Sequence, residues 1–341
     1  MTGASNRLHG IEMLRGLAAC AVVLSHAARH VDKAWHAPGL IRLFQPGHAG
    51  VDLFFVISGF IILFVHHGDV GVPGRLPNYL GRRFTRVMPL YWVALGLTLV
   101  LALAGRHKAP DPVDVLWSGL LLPSMAEPLL GVAWTLQNEA VFYAVFAVLI
   151  ASRAAGLVLM GAWFCFIVLT SLGMGWPGVA PALGGVFSLQ FFMGMGAALL
   201  VRRDRVPAPL TLAGTGAALF LLAMAGDSAG VLDGFGGLAR LAYGLPATMV
   251  VAGLAAAEWA GRLAVPGWAL RLGGASYSIY LFQFVFIGAA WQAWLRLGLG
   301  PWREACFVLL AVAALAGGVA ASRLVERPLL DLLRRRRVVA A

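Results

Sequence analysis

The sequence contains little charge and especially few acidic residues. Only 12% of its 341 residues are charged, and its 15 Asp and Glu residues are outnumbered by 26 Lys and Arg residues. A soluble domain carries about 25% charged residues, so the composition excludes an ordinary water-exposed globular protein. It also leaves too little polar surface for a nucleic-acid interface, despite the net charge of +11. Nucleic acid is therefore not an expected partner.

Cysteine is scarce as well, and its three positions all lie in apolar segments: Cys20, Cys165 and Cys306. Their spacing matches neither a disulfide framework nor a zinc site, and such cysteines behave as small hydrophobic side chains. The histidine pairs His26/His30 and His66/His67 lack the neighbouring acidic or cysteine residues that complete a metal site. The sequence therefore predicts no metal and no permanently bound cofactor.

Long apolar runs are abundant, since 60% of the residues are hydrophobic and the mean hydropathy is +0.83. A membrane-spanning helix needs about 20 mostly apolar residues, and ten stretches fit: 11–28, 49–66, 87–104, 132–152, 156–173, 184–201, 208–225, 238–257, 274–295 and 304–322. The run at 113–123 is too short to cross and is expected to be re-entrant or interfacial. These features predict an all-α integral membrane protein, with about ten transmembrane helices in one bundle and a single domain over 1–341.

The charge distribution predicts the topology. Residues 7–28 could pass for a signal peptide, but Arg15 and His26 interrupt the apolar run, so the segment is expected to be retained. With ten spans and both termini in the cytoplasm, most Lys and Arg residues lie in cytoplasmic segments, as the positive-inside rule requires. Residues 328–341 then form a basic cytoplasmic tail that anchors this topology.

Two ionisable residues lie near opposite ends of the first span. Arg15 and His26 are eleven positions apart, which on a helix separates them by about 16 Å and leaves them on the same face. Arg15 can instead extend to the lipid headgroups, and His26 can be an interfacial histidine. The shared face nevertheless marks both as candidate functional residues.

Two acidic residues lie inside predicted spans. Asp52 is about one turn into the second span, at the depth of His26, where a carboxylate can orient an imidazole; it is also favourably placed near a helix start. Glu139 is about two turns into the fourth span, where a charge costs about 2.5–3.5 kcal/mol on insertion scales. It has three candidate supporting residues beside it: Trp134, Asn138 and Tyr143. We expect Glu139 to be functional.

Two further polar groups are candidates for substrate contact. Arg82, Arg83 and Arg86 precede the third span, and guanidinium groups match phosphate oxygens, although the positive-inside rule alone also accounts for their charge. A polar stripe lies at the start of the ninth span: Ser276, Tyr277, Tyr280 and Gln283. The stripe serves either substrate contact or hydrogen bonding between helices.

Six features, in order along the chain, resemble motifs of the membrane acyltransferase-3 family. They are Arg15 and His26 with ten residues between them, GVDLFFVISGF at 50–60, RRFTRVMPLYW at 82–92, WTLQNEAVFY at 134–143, SYSIYLFQ at 276–283 and LVERP at 324–328. Residues 120–143 look most like the branch that O-acetylates bacterial exopolysaccharides. The resemblance covers nearly the whole chain, and the order of the motifs makes a chance match improbable.

The resemblance implies a ten-helix enzyme that transfers an acyl group, most often acetyl, from acyl-CoA to a saccharide hydroxyl. His26 matches the essential histidine of the family and Arg15 its motif arginine. Arg83 and Arg86 match its cytoplasmic arginine pair, and Glu139 the acid of its tryptophan-led motif. Many relatives carry His where this chain has Gln283, so a proton-transfer role does not carry over to that position.

These features combine into a mechanistic hypothesis. Arg82, Arg83 and Arg86, with Arg15, hold the phosphates of acetyl-CoA, and the pantetheine arm follows the Arg15–His26 face. His26 removes the proton of the acceptor hydroxyl. The remaining groups support this step: Asp52 or Glu139 orients His26, and Asn138 or Trp134 stabilises the oxyanion.

The expected setting is the bacterial inner membrane, and polysaccharide-biosynthesis proteins are possible partners. The acceptor remains open among exopolysaccharide, O-antigen, peptidoglycan, glycolipid and secondary metabolite. The alternative functions are a small-molecule transporter and a flippase for lipid-linked sugars. A transporter more often shows an internal repeat, which this sequence lacks. A flippase or polymerase would be expected to have longer external loops.

Overall fold

The computed structural model describes residues 8–104, 110–174 and 181–339, with side chains described as far as residue 333. Its α-helices are α1 (His9–Trp35), α2 (Pro38–Phe44), α3 (Gly50–His66), α4 (Leu76–Ala104), α5 (Pro112–Gly119), α6 (Ala133–Ala151), α7 (Arg153–Ser171), α8 (Pro181–Gly184), α9 (Phe187–Arg202), α10 (Pro209–Ser228), α11 (Gly237–Trp259), α12 (Gly267–Arg296), α13 (Arg303–Ala321) and α14 (Arg327–Val339). These described residues contain no strand.

Ten segments of the described chain are helical, long and apolar enough to cross a membrane. Each coincides with one predicted span, so the all-α fold and the ten spans are confirmed. The side of the membrane on which the termini lie stays a prediction. Of the predicted basic tail, 328–339 belongs to α14, while its last two residues and the side chains from 334 onward lie outside the described part.

The short apolar run between the third and fourth spans forms α5, an eight-residue helix. At about 1.5 Å per residue it covers roughly 12 Å, too little to cross a bilayer. Two side chains of α4 hold its C-terminal end: the Tyr91 hydroxyl donates to the Ser118 carbonyl at 2.6 Å, and Trp92 Nε1 donates to the Gly119 carbonyl at 2.8 Å. Tyr91 is fully buried, and this contact gives it a structural role.

The chain divides into two compact units. The first unit comprises Met1–Phe64 and Gln190–Val319, and the second comprises Val65–Leu189 and Ala320–Ala341. The single-domain interpretation of 1–341 stays a prediction. Each unit contains part of the predicted site.

The first unit contains a close pairing of α1 with α12. A side chain at Gly16 would overlap the backbone at Gly273, and one at Gly273 would overlap the Glu12 carbonyl, so these glycines let the helix backbones approach closely. Ten residues farther along both helices, His26 contacts Gln283. Because the contacting residue advances by ten positions in the same direction on both helices, α1 and α12 run parallel. This register sets His26 against the polar stripe of α12.

The first unit also pairs α3 with α9. Gln190 of α9 bonds Asp52 of α3, and Arg202 donates to the Phe64 carbonyl at 3.1 Å, with the same sequence separation of 138 residues in both pairs. The two helices are therefore parallel as well. At their crossing, Gly59 packs against the Phe191 backbone without room for a side chain.

The second unit is built on α4, α6 and α7. Gly156 of α7 lies directly against the Leu149 backbone of α6, and Ser152 caps α7 by accepting from the Ala155 N–H at 3.3 Å. Tyr79 joins α4 to α6 by donating to the Tyr143 carbonyl at 3.2 Å. These contacts place the arginine motif of α4 beside the Glu139 motif of α6.

Candidate functional site

The site residue of the first unit is His26, near the C-terminal end of α1. Its ring is half-buried, with Nδ1 2.9 Å from Oε1 of Gln283 and the Phe284 ring 4.7 Å away. Arg15 lies on the same uninterrupted helix and is also half-buried. The predicted helical spacing of about 16 Å between the two residues therefore holds.

The hydrogen bonds of Gln283 determine which nitrogen of His26 carries the proton. Gln283 Nε2 lies 2.9 Å from the Tyr280 carbonyl, and because a carbonyl only accepts, the amide nitrogen must face it. Oε1 then faces His26 and accepts from Nδ1–H. In the described part of the chain no hydrogen bond reaches Nε2 of His26. That nitrogen keeps its lone pair, as a general base requires.

Ser276 and Tyr280, in the stripe on α12, are buried. Ser276 is fully enclosed, and within the described chain its hydroxyl has no hydrogen-bond partner. Tyr280 packs edge-on against Phe54, with ring centroids 5.7 Å apart. The stripe thus faces the interior of the first unit, and only its Gln283 side chain hydrogen-bonds to His26.

Asp52 has different partners from those predicted. It is fully buried, Gln190 Nε2 donates to its Oδ1 at 2.5 Å, and Arg240 Nη1 donates to its Oδ2 at 2.6 Å. The described contacts do not join Asp52 to His26. The hydrogen bond to Nδ1 of His26 that was predicted for a carboxylate is made by Gln283.

Arg240 is a residue whose role sequence reasoning missed, although a cation inside the eighth span was the signal. It is 3% exposed, and besides Asp52 it donates to the Gly234 carbonyl. Gln190 Nε2 also donates to the Arg240 carbonyl at 3.0 Å. Asp52, Gln190 and Arg240 therefore tie α3, α9 and α11 together through a buried ion pair.

A second buried pair, His48 with Asp227, was also missed. His48 Nε2 lies 2.9 Å from Asp227 Oδ2, which also accepts from the Tyr243 hydroxyl at 3.0 Å. The His48 ring stacks on the Phe235 ring, with centroids 4.3 Å apart. The guanidinium of Arg29 lies 4.7 Å from the centre of the Phe235 ring. The residues are too far apart in sequence for spacing to pair them; the available signal was an acid at the end of the seventh span.

Glu139 is the site residue of the second unit. It is half-buried on α6 and accepts a hydrogen bond from the Tyr143 hydroxyl one turn farther along. The guanidinium of Arg83 lies 5.7 Å from the centre of the Tyr143 ring. The structure therefore brings together Glu139, Tyr143 and Arg83, three of the predicted site residues.

The described contacts of the two other predicted residues of α6, Asn138 and Trp134, are with residues other than Glu139. Asn138 is buried and donates to the Trp134 carbonyl at 2.8 Å, within the helix. The Trp134 ring packs on Phe187, with centroids 5.0 Å apart. One amide hydrogen of Asn138 is used by the helix, and the predicted oxyanion contact stays a prediction.

The three arginines of α4 have unequal environments. Arg82 is exposed, and its Nε donates to Asn78 at 3.1 Å, whereas Arg83 is half-buried, with an enclosed Nε that has no hydrogen-bond partner among the described residues. Arg86 Nη1 lies 3.6 Å from Oε1 of Glu326. Of these three arginines, Arg82 and Arg83 have no acidic partner in the described second unit.

Glu326 belongs to the late LVERP motif and lies in a turn of π-helix, Ser322–Glu326, between α13 and α14. It is 3% exposed, and Oε2 accepts from the Ser322 hydroxyl at 3.1 Å. A π-turn adds one residue to a helical turn and so redirects the side chains around it. The motif therefore supplies the acid that pairs with Arg86.

The sequence of the chain is similar to those of known proteins. A sequence model for a protein family, described as an acyltransferase domain, matches residues 8–322. The exopolysaccharide production protein ExoZ of Rhizobium meliloti (strain 1021) is 34% identical over 87% of this chain and 94% of its own length. The acyltransferase MdmB of Streptomyces mycarofaciens is 28% identical over 98% of this chain and 94% of its own. No solved structure matches.

Proposed function

The chain belongs to the acyltransferase-3 family and is a multi-pass membrane acyltransferase, and we propose that it transfers acetyl from acetyl-CoA to a saccharide hydroxyl. The observation that carries the proposal is the hydrogen-bonded pair of His26 and Gln283, which leaves Nε2 of His26 available as a base. The similarity to an exopolysaccharide production protein supports a saccharide acceptor. The bacterial inner membrane is the proposed location, and polysaccharide-biosynthesis proteins are proposed partners.

In the proposed reaction, His26 Nε2 takes the proton of the acceptor hydroxyl as its oxygen attacks the thioester carbonyl. The tetrahedral intermediate then collapses, the C–S bond breaks, and the coenzyme A thiolate takes the proton from the imidazolium. The products are an O-acetyl ester and free coenzyme A, so protons and electrons balance. A two-step route through acetyl-His26 uses the same nitrogen as nucleophile.

Gln283 acts on this step as a positioning residue. Its carbonyl oxygen accepts from Nδ1–H in the neutral ring and continues to accept when the ring is protonated. A neutral acceptor stabilises the imidazolium less than a carboxylate does. The proton is therefore held less tightly, which favours its return to the leaving thiolate.

The arginines carry the proposed contacts to the donor. Arg82 and Arg83 have no acidic partner in the described second unit, and guanidinium groups suit the phosphates of coenzyme A. Arg86 also binds a phosphate of coenzyme A if that phosphate displaces Glu326 from it. Arg15 of α1 is proposed as a further donor-binding residue. Glu139, which accepts a hydrogen bond from Tyr143, is proposed as a further catalytic residue.

The test uses membranes that contain wild type or His26→Ala in equal amounts, supplied with radiolabelled acetyl-CoA and alkali-deacetylated exopolysaccharide of the source organism. General base catalysis contributes about 10²–10⁴-fold, so label in the polysaccharide should fall by at least 100-fold while acetyl-CoA still binds. His30→Ala is the matched control, because His30 lies one turn farther along α1 and packs on Trp291.

Two results would contradict the proposal. Undiminished transfer by His26→Ala would remove the base and direct attention to Glu139. Uptake or translocation of the saccharide by wild type without any acetyl transfer would instead support a transporter or a flippase.

A further inference from the structure

A partly open cavity of about 440 Å³, lined by both polar and apolar residues, lies at the C-terminal end of α1, within the first unit. The ends of α1 and α10 line it together with α2 and the residues that follow α2 and α10. Ligand-binding cavities have volumes of roughly 300–1,000 Å³, so its size suits a small molecule or one unit of a larger one. Six polar residues line it: Asp32, His36, Arg42, Gln45, Asp227 and Ser228.

The two carboxylates of the cavity are each held in place by one oxygen. Asp32 Oδ1 accepts from the Ala37 N–H at 2.7 Å, and Asp227 Oδ2 accepts from Tyr243 and pairs with His48. The side chain of Asp227 is only 5% exposed. In the described part of the chain no hydrogen bond uses the other oxygen of either carboxylate. Each acid therefore has a fixed orientation and a remaining acceptor.

The chemistry of the lining favours an uncharged, polyhydroxylated ligand. Carboxylate oxygens accept from hydroxyl groups, while the Arg42 guanidinium and the Ser228 hydroxyl can donate to ring and hydroxyl oxygens. Because the lining contains charges of both signs, it disfavours a ligand with a large charge of either sign. A saccharide unit presents the matching array of donors and acceptors.

The position of the cavity relative to His26 follows from α1 itself. Asp32 is six residues beyond His26, which is about 9 Å along the helix axis and about 120° around it. A sugar in the cavity therefore does not place its own hydroxyl at His26. A saccharide of two or more units can occupy the cavity and still extend towards His26.

We infer that this cavity is an acceptor subsite, which holds a sugar unit next to the unit that receives the acetyl group. The inference rests on the proposed function, which it deepens by assigning residues to acceptor binding. Asp32 and Arg42 are its specificity residues, since both line the cavity and neither takes part in the transfer step.

The experiment compares two acceptors: oligosaccharides released from alkali-deacetylated exopolysaccharide of the source organism, and the methyl glycosides of its constituent sugars. Asp32→Asn keeps the oxygen that accepts from Ala37, and Arg42→Gln alters an exposed side chain. The matched controls are Glu304→Gln and Lys33→Gln, which change exposed charges that do not line the cavity.

We expect each cavity variant to raise the KM for the oligosaccharides about tenfold, the effect of losing one hydrogen bond to a charged group. The KM for acetyl-CoA, the transfer to methyl glycosides and both controls should match wild type. An unchanged oligosaccharide KM in both variants, or an equal loss with methyl glycosides, would overturn the subsite. If wild type acetylates neither acceptor, the proposed function fails and the subsite falls with it.

Discussion

Two polar pairs in the first unit differ in one respect. The pair of Asp52 and Arg240 is closed at the carboxylate, because Gln190 and Arg240 engage both of its oxygens. The pair of His26 and Gln283 is open, because Gln283 holds one imidazole nitrogen and leaves the other without a hydrogen bond in the described chain. A closed pair supports structure, whereas an open pair leaves an atom for chemistry.

The difference also explains why the more highly charged pair is not the catalytic candidate. Removing two charges from water costs several kcal/mol per ion, and only close contacts with good geometry offset it. Asp52 and Arg240 have those contacts and would lose them if either took part in proton transfer. The neutral His26–Gln283 pair costs less to bury and changes charge transiently with less disruption.

The strongest test of the closed pair removes one charge at a time. Arg240→Leu and Asp52→Leu each leave an unpaired buried charge, and we expect each to reduce the free energy of unfolding by about 3–5 kcal/mol. The double variant removes both charges and should be more stable than either single variant. Thermal unfolding in detergent measures the three values against wild type.

His26→Ala, measured alongside, is the control from the open pair. It should unfold within a few degrees of wild type, since His26 has one hydrogen bond and no ion pair. A double variant that is no more stable than Arg240→Leu would show that Asp52 and Arg240 are not coupled as the structure indicates.

The open pair is tested by changing the partner of the imidazole. Gln283→Leu leaves Nδ1–H unpaired and the tautomer of His26 unspecified, so we expect kcat to fall about tenfold, in line with one lost hydrogen bond. The KM for acetyl-CoA should not change. Gln283→Glu retains an acceptor oxygen and should restore most of the activity lost in Gln283→Leu. Equal activity of wild type and Gln283→Leu would remove Gln283 from the mechanism.

The sequence predicted the helices well because the signal for a span is local. An apolar run of sufficient length bounded by charges identifies a span whatever its neighbours are. The boundaries were less accurate: α12 begins at Gly267, before the predicted 274, because residues near its start include Arg271 and several glycines. Polar residues at a helix end do not contribute to an apolar run.

The partners within the site were predictable only where they share a helix. Glu139 and Tyr143 are four residues apart on α6, and such residues face each other on any helix. Asp52 and Arg240 are 188 residues apart, and His48 and Asp227 are 179 apart. Which spans become neighbours depends on packing between helices, and hydropathy carries no information on that choice.

The smallest expected effects come from the arginines of α4. Arg86 is paired with an acid there, whereas Arg82 is not. Arg82 is exposed, and among the described residues its one side-chain hydrogen bond goes to Asn78. Arg82→Gln should therefore raise the KM for acetyl-CoA about two- to fivefold, as for an exposed ionic contact. Its unfolding temperature should not change. Arg203→Gln, which alters another exposed arginine, is the control.

Arg86→Gln should have the opposite effects to Arg82→Gln: it should lower the unfolding temperature more than it changes the KM for acetyl-CoA. It leaves Glu326, whose side chain is 4% exposed, without its cation, and an uncompensated buried charge destabilises a fold. We therefore expect a lower unfolding temperature for Arg86→Gln, which Glu326→Gln in the same chain partly restores. If Arg86→Gln instead raises only the KM for acetyl-CoA, Arg86 is an open group like Arg82, and its pairing with Glu326 yields to the donor phosphate.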